Sequence, residues 1–317
     1  MITFMRLRRL PALSSRSATP CLLVLLAAFG LYAGEADAQE LVPRAYWPAP
    51  KGTNLLVTAY QHSFGDVVTD ATLPLEGVDS TINFAQVTWQ HTTSIFGRSA
   101  NFQANLPYAW GTTKGLVEGV FRQRDISNFA DARLLLSINL RGAPSMNLAE
   151  FRKLTANPRT IVGASLLVQA PTGSYEKDRF INAGTNRWAA KLGFGVIWPL
   201  QRKWLLETHL GGWFFGDNDE FIGRKREQDP IASAEMHLIR RTDAEFWVAL
   251  DWNYYVGGRT TVDGVERDDR VRNSRAGVTM VVPFRRRHAI RASFSTGIRT
   301  ESGGDFETLS LAYAYFW

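Results

Sequence analysis

Apolar and polar residues alternate along most of the chain after residue 54. In 204–215, Leu206, Leu210 and Phe214 stand opposite Glu207 and His209. In 231–240, Ala234, Met236 and Leu238 oppose Glu235 and His237, and in 187–198, Trp188, Leu192, Phe194, Val196 and Trp198 oppose Lys191, Gly193 and Gly195. A period of two marks a strand with unlike faces. The pattern predicts strands near 54–62, 82–94, 99–108, 131–140, 160–170, 187–198, 204–215, 231–240, 245–256, 273–283, 288–298 and 306–317. These twelve make an even number, as in single-chain bacterial outer-membrane barrels. Residues 116–121 also have strand character but are assigned to a loop, since an odd count would leave the two chain ends on opposite sides of a membrane. Met146–Leu154 instead has helical spacing, with Leu148, Phe151 and Leu154 on one face. It is expected to lie against the membrane, cap the lower mouth or form an ordered surface loop.

The C-terminal strand decides between a soluble sheet and a membrane barrel. Leu309, Leu311, Tyr313, Tyr315 and Trp317 alternate with Ser310, Ala312, Ala314 and Phe316. Left unpaired in water, such an edge promotes aggregation. A barrel closed in lipid has no edge. The fold expected is therefore all-β: a transmembrane antiparallel up-and-down β-barrel of about twelve strands. An Arg or Lys facing lipid near the midplane costs ~2–4 kcal/mol, so the charged rows face inward. The expected lumen-lining residues are Arg133, Lys191, Glu207, His209, Glu235, His237, Asp251, Asn253, Arg275 and Arg291. Trp247 breaks the polar row of its strand and is expected to mark a rim. Strands 54–62 and 82–94 have ambiguous parity, so no inward residues are assigned there. Trp188, Trp198, Trp252, Tyr254, Tyr313, Tyr315 and Trp317 are expected at the membrane–water interfaces, where aromatic residues collect.

Connection lengths orient the barrel. Going back from Trp317, tight turns such as 285–287, 241–243 and 199–203 alternate with long connections such as 257–272, 216–230 and 171–186. Short turns belong to the periplasm and long loops to the outside. The exception is 141–159, a long periplasmic connection that holds the expected helix.

The N-terminus fits this compartment. Arg6, Arg8, Arg9 and Arg16 precede an apolar run from Cys21 to Ala33 and then Ala36-Asp37-Ala38. That order reads as a signal peptide, 1–38, followed by the barrel, 39–317. Cys21 is the one cysteine of the chain, so no disulfide or thiolate chemistry is expected after cleavage. The formal net charge of +6 is partly carried by the leader's arginines, and no basic patch interleaved with aromatics argues for nucleic acid.

Several motifs share an order. Pro43-Arg44-Ala45-Tyr46 begins the barrel region, Pro171-Thr172-Gly173 is followed by Ile181-Asn182-Ala183-Gly184, and Tyr255-Val256-Gly257-Gly258 precedes Asn273-Ser274-Arg275. This order resembles the family of outer-membrane transporters named for the MetA pathway of phenol degradation, from about Pro43 to Trp317. The resemblance implies a barrel that helps small hydrophobic, including aromatic, compounds across the bacterial outer membrane. It carries over no binding residues. Gly173, Gly184, Gly257 and Gly258 are expected to supply positive φ.

Two other readings stand beside the conduit. One is a structural barrel whose mixed interior charges form a plugging ion-pair network. The other, less favoured, is a hydrolase or metal site built on His209, His237, Glu207 and Glu235. A nucleophile needs a positioned base and an orienting third group, and no G-x-S-x-G elbow is present. The favoured reading of those four residues is a hydrogen-bonded interior cluster, in a non-enzyme that requires no cofactor or metal. The partners expected are outer-membrane lipids, the barrel assembly machinery through the last strand, and small hydrophobic solutes.

Overall fold

The structure, a computed structural model, describes residues 42–66, 75–117, 120–201, 203–242, 246–301 and 305–317. The segment read as a signal peptide lies outside the described residues. The elements are β1 (Asn54–Gly65), β2 (Leu75–Ile95), β3 (Arg98–Val117), β4 (Val120–Phe129), β5 (Arg133–Arg141), α1 (Leu148–Ala156), β6 (Ile161–Gln169), β7 (Ala189–Gln201) and β8 (Trp204–Phe215). There follow β9 (Asn218–Phe221), β10 (Arg224–Gln228), β11 (Ile231–Arg241), β12 (Trp247–Gly257), β13 (Thr260–Val262), β14 (Val265–Glu266), β15 (Val271–Phe284), β16 (His288–Arg299) and β17 (Phe306–Phe316).

Twelve strands close the barrel. Around it run β1, β2, β3, β5, β6, β7, β8, β11, β12, β15, β16 and β17, each antiparallel to the next, and β17 pairs back onto β1. The seam is complete: Asn54 N donates to Trp317 O at 3.0 Å and Trp317 N donates to Asn54 O at 3.1 Å. Closure leaves the ring of twelve strands without an open edge, as lipid demands.

The stretch 109–130 differs from the sequence reading. The loop assigned at 116–121 is the tip of a hairpin that prolongs the wall: β3 runs on to Val117 and β4 returns beside it. β5 then takes over the lower part of β3, from Ala100 to Asn105, so β4 and β5 form one wall strand interrupted at 130–132. Alternation stayed legible here, but a strand running beyond the others carries no sequence mark of where the membrane ends.

Outward faces carry the large apolar side chains. Leu192, Leu210, Leu250, Phe294, Leu309 and Leu311 are all exposed, while each has at least one buried sequence neighbour on the other parity. Such a mainly apolar outer band matches hydrocarbon, not water.

The lower end, where Asn54 meets Trp317, is filled. Val42 to Ala49 are all buried and precede the first strand. Their Tyr46, Trp47 and Ala49 pack with Leu55, Ile161, Ile197, Leu205, Trp247 and Phe316 of the wall and with Phe151 and Leu154 of α1. Trp247, expected at a rim, is instead buried in this cluster. The helix starts with a capping box: Asn147 Oδ1 accepts from Ala149 N and Glu150 N, and Glu150 Oε2 accepts from Asn147 N at 2.9 Å. Arg241 Nη1 donates to Thr155 O at 3.0 Å, tying the helix to the lower rim. Of the three placements open for this segment, the structure shows a cap on the barrel mouth.

Candidate functional site: the occluded lumen and its outer vestibule

Strand register brings the interior charges to two adjacent levels. Glu235 of β11 lies opposite His209 of β8 and Asn253 of β12, and Asn253 lies opposite Arg275 of β15. One level away, His237 lies opposite Glu207 and Asp251. All ten residues expected on the inner wall are buried: Arg133, Lys191, Glu207, His209, Glu235, His237, Asp251, Asn253, Arg275 and Arg291.

Their pairing is specific. Lys191 Nζ donates to Glu235 Oε1 at 3.0 Å. His237 Nδ1 and Asp251 Oδ1 are 2.8 Å apart, and Thr279 Oγ1 donates to Asp251 Oδ2 at 2.6 Å. Arg275 donates to Phe306 O and to Ser295 Oγ, both at 3.0 Å, and its guanidinium lies 3.8 Å from the centre of the Phe306 ring. Arg133 Nε donates to Gln169 Oε1 at 3.0 Å. The cluster expected around His209 is looser. His209 stands 3.8 Å from Glu235 and 3.9 Å from Glu207, beyond hydrogen-bond range.

The segment 42–49 seats on this network as a plug. Arg44 N donates to Glu207 Oε2, and the Arg44 guanidinium lies 4.6 Å from the Trp47 ring centre and 5.5 Å from that of Trp247. Tyr46 OH hydrogen-bonds Ser165 Oγ at 2.8 Å, and its ring meets His209 edge-on at 5.1 Å. The ring lies directly on two glycines: a Cβ at Gly163 would come within 2.3 Å of it and one at Gly195 within 2.2 Å. The motif around Tyr46 is quoted easily from the sequence, yet nothing in its eight residues signals that it fills a barrel. The inward glycines of β7 were the available sign, since an inward row of small residues makes room for something.

A second element escaped sequence reading. The inner face of β2 and β3 is a wall of amides and hydroxyls. Asn105 Nδ2 donates to Gln86 Oε1 at 2.9 Å and to Thr88 Oγ1 at 2.7 Å, Gln103 Nε2 donates to Gln90 Oε1 at 3.1 Å, and Thr92 Oγ1 donates to Asn101 Oδ1 at 2.8 Å. Uncharged polar groups inside and Thr or His groups outside blur the contrast on which parity depends.

Above, the long loops order one another. Asp131, at the break between β4 and β5, is buried and accepts from Gly173 N, Thr185 N, Thr185 Oγ1 and Gln169 Nε2. This folds the 170–188 connection over the barrel, where Phe180 and Ile181 pack with Ile82, Phe84, Ala109 and Phe306. Gly257 and Gly258 have positive φ as expected, at 121° and 74°. Gly173 and Gly184 serve another purpose: they face each other so closely that a Cβ on either would come within 2.7 Å of the other's backbone.

β9, β10, β13 and β14 make a small second sheet above the membrane. Between it and the folded loop lies a cavity of about 360 Å³, lined by Phe180, Phe221, Ile222 and Val262 and edged by Arg224, Arg226, Arg267, Asp268 and Asp269. Phe180 and Phe221 meet edge-on at 5.8 Å, and Arg226 lies over Phe221 at 5.1 Å. Nearby, the Lys225 ammonium donates to the carboxylates of Asp217 and Glu227, which raises its pKa.

Of the aromatics expected at the interfaces, Trp188, Trp198, Trp252, Tyr313 and Trp317 are exposed on the outer face, and Tyr254 and Tyr315 are partly exposed. Trp252 stacks with Tyr254, and Tyr315 with Trp317.

Solved structures share this architecture. An outer membrane channel from Pseudomonas putida F1 superposes with a TM-score of 0.70 at 23% identity, over 86% of this chain and 98% of that one. The CymD monoaromatic hydrocarbon channel aligns at a TM-score of 0.43 with 8% identity, over 84% and 89% of the two chains. The translocator domain of the autotransporter NalP from Neisseria meningitidis aligns at 0.49 with 12% identity, over 84% and 88%. No functionally curated protein matches the sequence. The fold is that of a bacterial outer-membrane β-barrel. A family model matches residues 61–315, most of the chain, and the protein belongs to that family, described as the MetA-pathway of phenol degradation.

Proposed function

We propose that this barrel carries small hydrophobic compounds, aromatic ones among them, across the outer membrane by facilitated passage. One observation carries the reading: the lower lumen is filled by the plug and its polar network, while a cavity of about 360 Å³ with an aromatic and aliphatic side and a charged edge stands among the outer loops. A general diffusion pore for hydrophilic solutes needs a continuous wet lumen. A cavity of this size falls within the ~300–1,000 Å³ typical of small-molecule sites. The family's link to phenol breakdown agrees with a solute of that size and polarity. On this reading Arg133, Lys191, Arg275 and the carboxylates of the inner wall bound the path below the cavity. The outer aromatics anchor the barrel in lipid.

The test compares a deletion strain with its complemented parent on a panel of radiolabelled aromatic and aliphatic compounds, alongside purified barrel in liposomes. Faster uptake of phenolic or monoaromatic probes, without faster uptake of a sugar of equal size, supports the reading. A folded barrel that accelerates neither class leaves the plugged structural barrel, which the ion-paired interior favours. A barrel that passes the sugar as fast as the aromatic probe is a diffusion pore.

A further inference from the structure

The inner wall holds a group of side chains that the passage of a hydrophobic solute does not use. We propose that His209, Glu235 and His237 bind one divalent transition-metal ion of the zinc class, in the lumen wall beside Tyr46 of the plug. One ligand atom from each of the three lies within 4.8 Å of the other two, and all three residues are buried.

The donor atoms are prepared for a metal. Asp251 sits 2.8 Å from His237 Nδ1. An ionised carboxylate only accepts, so the ring proton is on Nδ1 and the lone pair on Nε2. A carboxylate on one nitrogen and a metal on the other is the usual arrangement around a ligating histidine. His237 Nε2 is fully buried and has no hydrogen-bond partner. A buried polar atom left unmatched is costly, and one such atom beside two other donors points to a missing ligand. Lys191 donates to Oε1 of Glu235, and Oε2 faces His209 Nδ1 at 3.8 Å and His237 Nε2 at 3.9 Å.

These separations are too long for hydrogen bonds. They are about half an ångström wider than the ~3.3 Å between ligands on a tetrahedral zinc with bonds of ~2.0–2.1 Å. Small rotations of the two rings close the difference. The donor set of two imidazoles and one carboxylate suits zinc and its neighbours over magnesium or calcium, which prefer oxygen alone. A fourth ligand has room. A cavity of about 20 Å³, lined by Tyr46, Ser165, Lys191, His209 and Glu235 among others, borders the site. That volume holds one water. The ion would tie β8 to β11 and fix the His209 ring against which Tyr46 of the plug rests.

The test uses untagged full-length barrel, folded in detergent, with folding checked by heat-modifiable gel migration. After stripping with a chelator, Zn²⁺ uptake is measured by equilibrium dialysis and Co²⁺ binding by visible absorption. The expected result is one equivalent per chain, with Co²⁺ bands of a tetrahedral site. His209→Gln combined with His237→Gln abolishes that equivalent, and His288→Gln, on the barrel exterior, leaves it intact. Asp251→Asn, at a positioning residue, weakens affinity about 10–100-fold. If the double variant fails to fold, His237→Gln alone carries the comparison. A folded wild-type barrel that binds no more Co²⁺ than the histidine variants overturns the proposal.

Discussion

Two glycines determine where the plug sits. The Tyr46 ring rests on the backbone of Gly163 and Gly195, closer than any Cβ allows. Gly163→Ala is therefore expected to unseat Tyr46 at a cost of about 1–3 kcal/mol, the usual penalty for overpacking. Ion conductance in planar bilayers should rise, while barrel closure, read by gel migration, stays intact. Unchanged conductance would show that the ring has another seat. Asp131 does comparable work above the membrane, where one buried carboxylate holds three donors of the folded loop and the Gln169 amide at the end of β6. Hydrogen bonds to a charged group contribute ~1.5–3 kcal/mol each. Asp131→Ala is expected to release 170–188, exposing it to limited proteolysis and collapsing the outer cavity. Both roles rest on residues whose partners are far away in sequence: Tyr46 and Gly163, Asp131 and Thr185. The period and charge of a single strand record neither.

At the scale of elements, the plug and α1 form one unit with the lower wall. Phe151 and Leu154 of the helix and Trp47 of the plug share a single apolar cluster. Deleting 42–50 should open the lower lumen and expose the polar network around Glu207 and His209. Single-channel conductance is the measurement, and an increase over the full chain is the expected outcome. An unaltered current would mean that α1 or the outer loops keep the lumen shut. The helix itself was legible from the spacing of Leu148, Phe151 and Leu154, because an amphipathic turn is a local property. Its destination was not, since a membrane surface and a barrel mouth present the same apolar demand. The extension of β3 and β4 above the membrane is similar: alternation shows strand, and only pairing shows how far the wall rises.

For the molecule as a whole, lipid sets the rule. Leu250 is exposed near the middle of β12, level with Leu238 and Val278 on the neighbouring strands. Leu250→Arg is expected to cost ~2–4 kcal/mol if this level is the midplane. Folding titrations into phospholipid vesicles measure it, and a cost near zero would place Leu250 at an interface. The sequence by itself determined the barrel: that about twelve strands close it and, outside the first two, which parity meets lipid, because a period of two and the cost of charge in hydrocarbon act on each strand separately. Only the tertiary structure decided what fills the cylinder. Whether the inward charges border open water, a plug or one another depends on register between strands and on a segment that returns from outside the sheet. The plug's contacts with the wall link residues more than a hundred positions apart, and the charge pairs join different strands, so no local pattern encodes them.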